Sequence, residues 1–322
     1  MNTMSWQKYS SFNFWIVIGI YLSIFVNSIV FFQQPFEFYI GYLLFILLLP
    51  VFFTKYGVNN NLFFIFLILF LSGIFNIYSG NNTSAQFTKI FVGLTLSYFF
   101  YYYVVVELNY GVEQLFTWYL KGAYIVAFIG IVQFISFQIG FRPGYDYSWL
   151  LNKWGFYSGG NFGIRVNSIL GEPTYFAALL STAFFIAIYN VFSKSPFFLT
   201  RRQSWIIIVS YALSFSGLGQ IGILLTFVFL ILSFGLVRYL FVLIPVIFLA
   251  FTILYNNVEE FRGRYDGIVS LFFYGEAFEL GKTHGSSYIL YNNYTVALKN
   301  FLDHPIFGGG LGSHISYFIE FI

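Results

Sequence analysis

The sequence predicts an all-α, polytopic integral membrane protein, and three observations lead to this fold class. Only 8% of its 322 residues are charged and 59% are hydrophobic, whereas soluble proteins carry about 25% charged residues. The aromatic fraction is 25%, and aromatic rings suit both lipid-facing surfaces and the headgroup level. The rare charges separate apolar stretches of about 20 residues, the length that a helix needs to cross ~30 Å of hydrocarbon.

These boundaries predict about nine membrane spans in a single membrane domain, 1–322. The charges and polar groups that mark the first six spans are, in chain order, Lys8 to Glu37, Glu37 to Lys55, Asn61 to the polar patch Ser79–Ser84, Lys89 to Glu107, Lys121 to Arg142, and Pro173 to Lys194. The nine predicted spans are 12–32, 37–54, 61–78, 90–106, 122–140, 173–193, 204–215, 218–237 and 239–255.

The uncharged stretch from Arg202 to Arg238 is too long for one span. The small residues of Ser214–Gly219 interrupt it, which predicts two short spans that meet at a turn. A single long, kinked helix is the alternative. The first span lacks the small-residue cleavage pattern of a signal peptide, so we expect it to be retained.

The distribution of lysine and arginine predicts the orientation of the chain. With a cytoplasmic N-terminus, the short outer loops hold only Lys89, and we expect the positive charges to lie inside. The inner segments then hold Lys8, Lys55, Lys121, Lys194, Arg201, Arg202 and Arg238. Two longer segments, 141–172 and 256–322, fall on the outer side, and they contain all three histidines.

The first candidate site surrounds the start of the sixth span. Pro173 suits the first helical position, and it disfavours helix at Glu172. A helix N-terminus exposes unpaired N–H groups and the positive dipole end. With Arg165 nearby in sequence, this end predicts an anion site, for example for a pyrophosphate. Glu172 could act as a base there, or the two side chains could form an ordinary interfacial ion pair.

Two further segments of the outer side carry polar chemistry. Arg262 and Arg264, within Glu259–Asp266, form either a second anion clamp or part of a solvated, mixed-charge loop. In Asn300–His314, consecutive glycines permit a tight turn or close approach of a ligand. His304 and His314 are candidate proton acceptors near neutral pH, or simply solvated histidines.

Several absences limit the function. The chain has no cysteine, and it contains no HExxH, GxSxG or P-loop motif. Asp146, Asp266 and Asp303 lie far apart in sequence, so we predict neither a metal site nor a cofactor. The glycine run does not follow a strand in a βαβ unit, which argues against a dinucleotide site. The net charge of +3 gives no indication of nucleic-acid binding.

Three motifs in order resemble the bacterial O-antigen ligase and polysaccharide polymerase superfamily. They are Arg-x-x-Ser-x-x-x-Glu-Pro-x-Tyr-Phe-Ala at Arg165–Ala177, Ser-Phe-Ser-Gly at Ser214–Gly217, and His-Pro-x-Phe-Gly-x-Gly-x-Gly at His304–Gly312. The resemblance extends from Arg165 to the C-terminus, whereas the first five spans are similar in hydropathy alone. Family members continue past this point, so we expect the chain to be truncated at Ile322.

The resemblance implies a GT-C-like membrane glycosyltransferase that uses glycans linked to undecaprenyl pyrophosphate at the outer face of the bacterial inner (plasma) membrane. It implies that Arg165, with Arg262 or Arg264, holds the pyrophosphate, and that Glu172, His304 or His314 activates the acceptor hydroxyl. His314-Ile-Ser-Tyr-Phe is similar to the family's His-Asn-x-Tyr-Leu, with Ile315 in place of the Asn. Membrane lipid, a flippase and a chain-length regulator are the implied partners.

Within the superfamily, Glu-Pro-x-Tyr-Phe-Ala is more similar to polymerases than to ligases. Two other functions stay open. A ligase would transfer the glycan to lipid A-core. A glycolipid flippase or other transporter would need polar groups at membrane depth, and the predicted spans contain no ionisable residue in their interiors. A non-catalytic membrane scaffold, or an inactive truncated homologue, is a further alternative.

Overall fold

A computed structural model describes most of the chain, and it is mostly helical. The described residues are 11–26, 28–34, 36–151, 155–159, 162–193, 196–235, 240–257, 259–274, 285–305 and 308–314. The structure is 75% helix with few strands, which confirms the all-α part of the predicted fold class.

Twelve α-helices and four short strands are seen in the described part of the chain. The helices are α1 Ser11–Phe25, α2 Ile40–Tyr56, α3 Asn60–Tyr78, α4 Ser84–Tyr102, α5 Val112–Gln138, α6 Arg142–Tyr145, α7 Pro173–Phe192, α8 Arg201–Ala212, α9 Gly217–Ser233, α10 Leu240–Asn257, α11 Glu259–Val269 and α12 Gly285–Asp303. The strands are β1 Val30–Phe32, β2 Phe38–Tyr39, β3 Tyr157–Ser158 and β4 Ile164–Arg165, paired antiparallel as β1–β2 and β3–β4. Short π-helical segments, Tyr103–Glu107 and Ser270–Tyr274, follow α4 and α11.

Four of the helices in the described part of the chain are long and apolar enough to cross a membrane. They are Asn60–Tyr78, Ser84–Glu107, Val112–Gln138 and Pro173–Phe192. Large apolar side chains on α3 face outward, with Ile68 65% and Phe75 67% exposed. Such a surface is unfavourable in water and is compatible with lipid. The count of nine spans and the GT-C-like architecture stay predictions.

The first predicted span, 12–32, is wrong at its C-terminal end. Helix α1 ends at Phe25, and Val30–Phe32 forms strand β1 instead. In the register of this pair, Val30 lies opposite Tyr39 and Phe32 opposite Phe38. The rings of Phe32 and Phe38 stack with their centroids 4.9 Å apart. β-branched and aromatic residues favour such pairing, and this cross-strand contact is not visible in hydropathy.

Local sequence signals explain several helix starts. The Asn59 side chain accepts hydrogen bonds from the backbone N–H groups of Asn61 and Leu62 at the start of α3. Thr200 and Gln203 form a reciprocal capping box at the start of α8. Both devices satisfy N–H groups that have no partner within the helix.

The predicted interruption between the seventh and eighth spans is confirmed. Helix α8 ends at Ala212 and α9 begins at Gly217. Phe215, between them, has a φ of 44°, a left-handed conformation that ends a helix. The alternative of one long kinked helix is therefore wrong. The predicted outer segment 256–322 is also more regular than a loop, because it contains α11 and α12.

The chain divides into two compact units. Unit 1 contains Met1–Val58 and Gly93–Phe234, and unit 2 contains Asn59–Val92 and Gly235–Ile322. The core of unit 1 lies among α5, α7 and α8, where Ala177, Ala183 and Ala187 of α7 are fully buried. Small residues on a helix allow neighbouring backbones to approach closely. In unit 2, α11 packs against α12 and α10. The single-domain assignment stays a prediction.

Candidate functional site

Strands β3 and β4 form the first wall of a polar site in unit 1. Tyr157 lies directly opposite Arg165 in this antiparallel pair. Directly opposed residues project from the same face with their Cβ atoms about 5 Å apart. The phenol and the guanidinium therefore share one face of the hairpin. Arg165 is half-buried and its Nε atom is buried.

Glu172 supplies the third polar group of this site. It occupies the N-cap position of α7, with φ −146° and ψ 155°, and Pro173 takes the first turn as predicted. The pKa of Tyr157 is raised to about 12, mainly by burial and then by the Glu172 carboxylate, against the opposing effect of the Arg165 guanidinium. Tyr157 therefore lies within electrostatic range of both Glu172 and Arg165, and its phenol keeps its proton at neutral pH.

A buried hydrogen-bond network supports the loop between Arg165 and Glu172. The Gln133 side chain, on α5, accepts from the backbone N–H groups of Asn167 at 3.2 Å and Ser168 at 2.8 Å. Its Nε2 donates to Asn167 Oδ1 at 3.0 Å and to the Tyr145 carbonyl at 3.1 Å. All three side chains of Gln133, Asn167 and Ser168 are fully buried. The loop is thus tied to the interior of unit 1.

The serine of the Arg-x-x-Ser motif has a structural role. Ser168 adopts a φ of 53°, and its hydroxyl donates to the Val126 carbonyl at 2.8 Å. On the other side of the loop, the Val166 N–H donates to the Leu213 carbonyl at 3.0 Å. Leu213 immediately precedes the Ser-Phe-Ser-Gly turn, so this bond joins the first motif to the residue directly before the second.

Sequence reasoning missed Tyr157 and Gln133. The signal for Gln133 was a lone internal amide in an otherwise apolar stretch, which requires partners when it is buried. Tyr157 had no comparable signal, because its proximity to Arg165 depends on the register of two-residue strands.

A second arginine of the predicted outer segment 141–172, Arg142, forms an ion pair with Asp146. Arg142 Nε lies 3.2 Å from Asp146 Oδ2, and the Arg142 side chain is 77% exposed. The hydrogen bond from the Ser148 hydroxyl lowers the pKa of Asp146, and its backbone N–H and Arg142 add to this effect. This cluster organises the turn after α5.

In unit 2, the two predicted histidines lie in one cavity. His304 and His314 line an open cavity of about 370 Å³ together with Ala297, Asn300, Phe301, Pro305 and Gly308. His304 is half-buried and His314 is exposed. Asn300 Nδ2 donates to Ser313 Oγ at 2.9 Å and holds the loop against α12. Ile315 lies outside the described residues.

The glycine run of unit 2 forms a tight turn. This was one of its two predicted roles, the other being close approach of a ligand. Gly310 and Gly312 have φ values of 91° and 95°. A Cβ at Gly310 would lie 2.9 Å from the Cβ of Asn76. Asn82 Nδ2 donates to the Leu311 carbonyl at 2.6 Å. The glycines therefore serve a close approach to the turn between α3 and α4.

The remaining predicted arginines belong to unit 2, whereas Arg165 belongs to unit 1. Arg262 is exposed on α11. The side chain of Arg264 lies outside the described part of the chain. Their assignment to a pyrophosphate stays a prediction.

Comparison with family models, with curated proteins and with solved structures finds no match to this chain. The functional assignment therefore depends on the residues of the site and on the motif resemblance.

Proposed function

We propose that this protein is a membrane glycosyltransferase that polymerises undecaprenyl-pyrophosphate-linked oligosaccharide units into O-antigen or capsular polysaccharide. The observation that supports this most is the grouping of Arg165, Tyr157 and Glu172 at the N-terminal end of α7, a helix long and apolar enough to cross a membrane. Such a position suits a ligand that joins an anionic headgroup to a lipid tail. The motif resemblance supplies the identity of the ligand.

Three features of the site can attract or donate to an anion, and they act against the negative charge of Glu172. The guanidinium can donate two parallel hydrogen bonds to phosphate oxygens. The N-terminus of the 20-residue helix α7 adds a positive dipole end. The protonated phenol of Tyr157 adds an O–H donor.

The proposed reaction is a glycosyl transfer. The bond between the anomeric carbon and the pyrophosphate oxygen breaks, and its electron pair leaves with undecaprenyl pyrophosphate. The acceptor hydroxyl oxygen forms the new bond to the anomeric carbon. Its proton passes to a base, which we assign to Glu172. Pyrophosphate is a good leaving group that needs charge neutralisation, and arginine can supply it without a metal ion.

The proposal places the protein in the bacterial inner membrane with its N-terminus in the cytoplasm and the site at the outer face. A flippase would deliver the lipid-linked substrate there, and a chain-length regulator would act on the growing product. Both the donor and the acceptor in the proposed reaction are therefore lipid-linked glycans.

The test is a gel of surface glycan from a strain that lacks the gene, complemented with variants. We expect the wild-type gene to restore long chains and Arg165→Ala to leave at most one repeat unit per acceptor. Arg165→Lys keeps the charge but loses the bidentate geometry, so we expect it to lower polymer yield by roughly tenfold or more.

Arg142→Ala is the matched control, since it removes a neighbouring arginine that pairs with Asp146. We expect this variant to retain long chains at equal protein level in membranes. Normal polymer with Arg165→Ala would refute the site. Loss of all glycan from the core in the deletion strain, rather than loss of long chains, would indicate a ligase instead.

A further inference from the structure

The polar side chain of Gln133 is fully engaged in the helical core of unit 1. It lies within α5, is 0% exposed, and takes part in four hydrogen bonds of 2.8–3.2 Å. Its carbonyl oxygen accepts twice and its amino group donates twice, which exhausts the usual capacity of an amide. A buried amide is costly unless it is satisfied in this way, so an apolar residue would suit a helix whose only role is packing.

We infer that Gln133 is a positioning residue that holds the Arg165 guanidinium in place through the backbone of Asn167 and Ser168. The two N–H groups that it binds lie two and three residues after Arg165. Directly after Arg165, the backbone N–H of Val166 donates to the Leu213 carbonyl. The arginine is therefore fixed to α5 through one residue pair and to the end of α8 through another.

The conformation of the loop requires this acceptor. With a φ of 53° at Ser168, the backbone leaves regular structure, and the N–H groups of Asn167 and Ser168 point toward α5 instead of toward a strand or helix partner. Asn167 Nδ2 completes the loop by donating to the carbonyls of Leu170 at 2.7 Å and Gly155 at 3.1 Å. Gly155 lies just before β3, so the same network also holds the strand that presents Tyr157.

The inference depends on the proposed function only for the identity of the ligand. The position of Arg165 itself is measurable without a ligand. Phenylglyoxal modifies accessible arginines, and mass spectrometry reports the rate at each arginine separately. The experiment uses the full chain, purified in detergent, with and without inorganic pyrophosphate as the probe.

Gln133→Met is the test variant, because methionine matches the length of glutamine and removes every hydrogen bond. Asn190→Leu is the matched control. Asn190 is also fully buried, and its amide binds the carbonyls of Phe197 and Leu199 and the N–H of Phe197, at the other end of α7. Gln133→Asn, which retains an amide that is one methylene too short, replaces the methionine variant should that variant not fold.

We expect Gln133→Met to raise the modification rate of Arg165 by roughly threefold or more through local opening of the loop. Asn190→Leu should lower the thermal stability comparably and leave that rate within about twofold of wild type. Equal acceleration in both variants, or none in Gln133→Met or Gln133→Asn, would overturn the positioning role. Separately, failure of pyrophosphate to protect Arg165 in the wild type would overturn the proposed anion site and not the positioning of Arg165.

Discussion

Gly130 offers a sensitive test of how tightly the Arg165 loop is packed onto the helices. A Cβ at this position would lie 2.6 Å from Ser210 Oγ and 2.9 Å from Val166 Cγ1. The serine hydroxyl can rotate away. The valine is β-branched, and its backbone N–H is bonded to the Leu213 carbonyl, so it has little freedom to move.

Two opposing effects set the stability of Gly130→Ala. Overpacking costs about 1–3 kcal/mol, whereas replacing glycine by alanine within a helix gains about 1 kcal/mol. The steric cost should win, because Val166 cannot withdraw without shifting Arg165, the residue directly before it. We therefore expect a net loss of about 1 kcal/mol, which lowers the apparent Tm by a few degrees.

Thermal unfolding of the purified protein in detergent measures this effect. Gly263→Ala, within helix α11, is the matched control, because Gly263 is also a helical position and no atom lies within 4 Å of its added Cβ. Val166→Ala in the Gly130→Ala background should recover part of the loss by removing the Cγ1 methyl group that lies near the added Cβ. An unchanged Tm for Gly130→Ala, or an equal loss for Gly263→Ala, would refute the reasoning.

Two further predictions concern protonation. Tyr157→Phe should reduce polymer formation by roughly tenfold, through loss of an O–H donor. Because burial raises the pKa of Tyr157 to about 12, this residue does not titrate between about pH 6 and 9. The pH profile of polymer formation by Tyr157→Phe, measured on the same gels, should therefore have the same shape as that of the wild type in this range. A changed shape would contradict this. The pKa of Asp146 is held below its ordinary value of 3.8. The contribution of its ionised carboxylate to folding stability is therefore complete above pH 3.8, and it disappears as the pH falls through the lowered pKa. Hydrogen-exchange protection of Ser148 should fall accordingly, and the pH dependence should be absent in Asp146→Asn; persistence there would exclude Asp146 as the cause.

The helical elements of this protein were largely predictable from local features. Pro173 at the start of α7 and the small-residue interruption before Gly217 mark boundaries that the structure confirms, because steric preferences of single residues decide them. The end of α1 was not predictable in this way. No charged residue lies between Lys8 and Glu37 to mark it, and pairing with Phe38 and Tyr39 decides that Val30–Phe32 forms a strand.

The candidate site was predictable only in part. Arg165 and Glu172 stood out because charges are rare in this chain, and two histidines stood out for their ability to exchange protons. Their neighbours depended on contacts between residues far apart in sequence. His304 and His314 meet in one cavity because the glycine run folds back against the end of α12.

Composition and the spacing of charges by themselves determined that this is a helical protein suited to a membrane, since transfer of apolar surface out of water acts on every residue separately. Tertiary structure alone decided that Tyr157 stands opposite Arg165 and that Gln133 holds the loop between Arg165 and Glu172. Those arrangements depend on strand register and on hydrogen bonds across about 35 residues of sequence. The identity of a residue carries no information about which distant partner will satisfy its hydrogen-bonding groups.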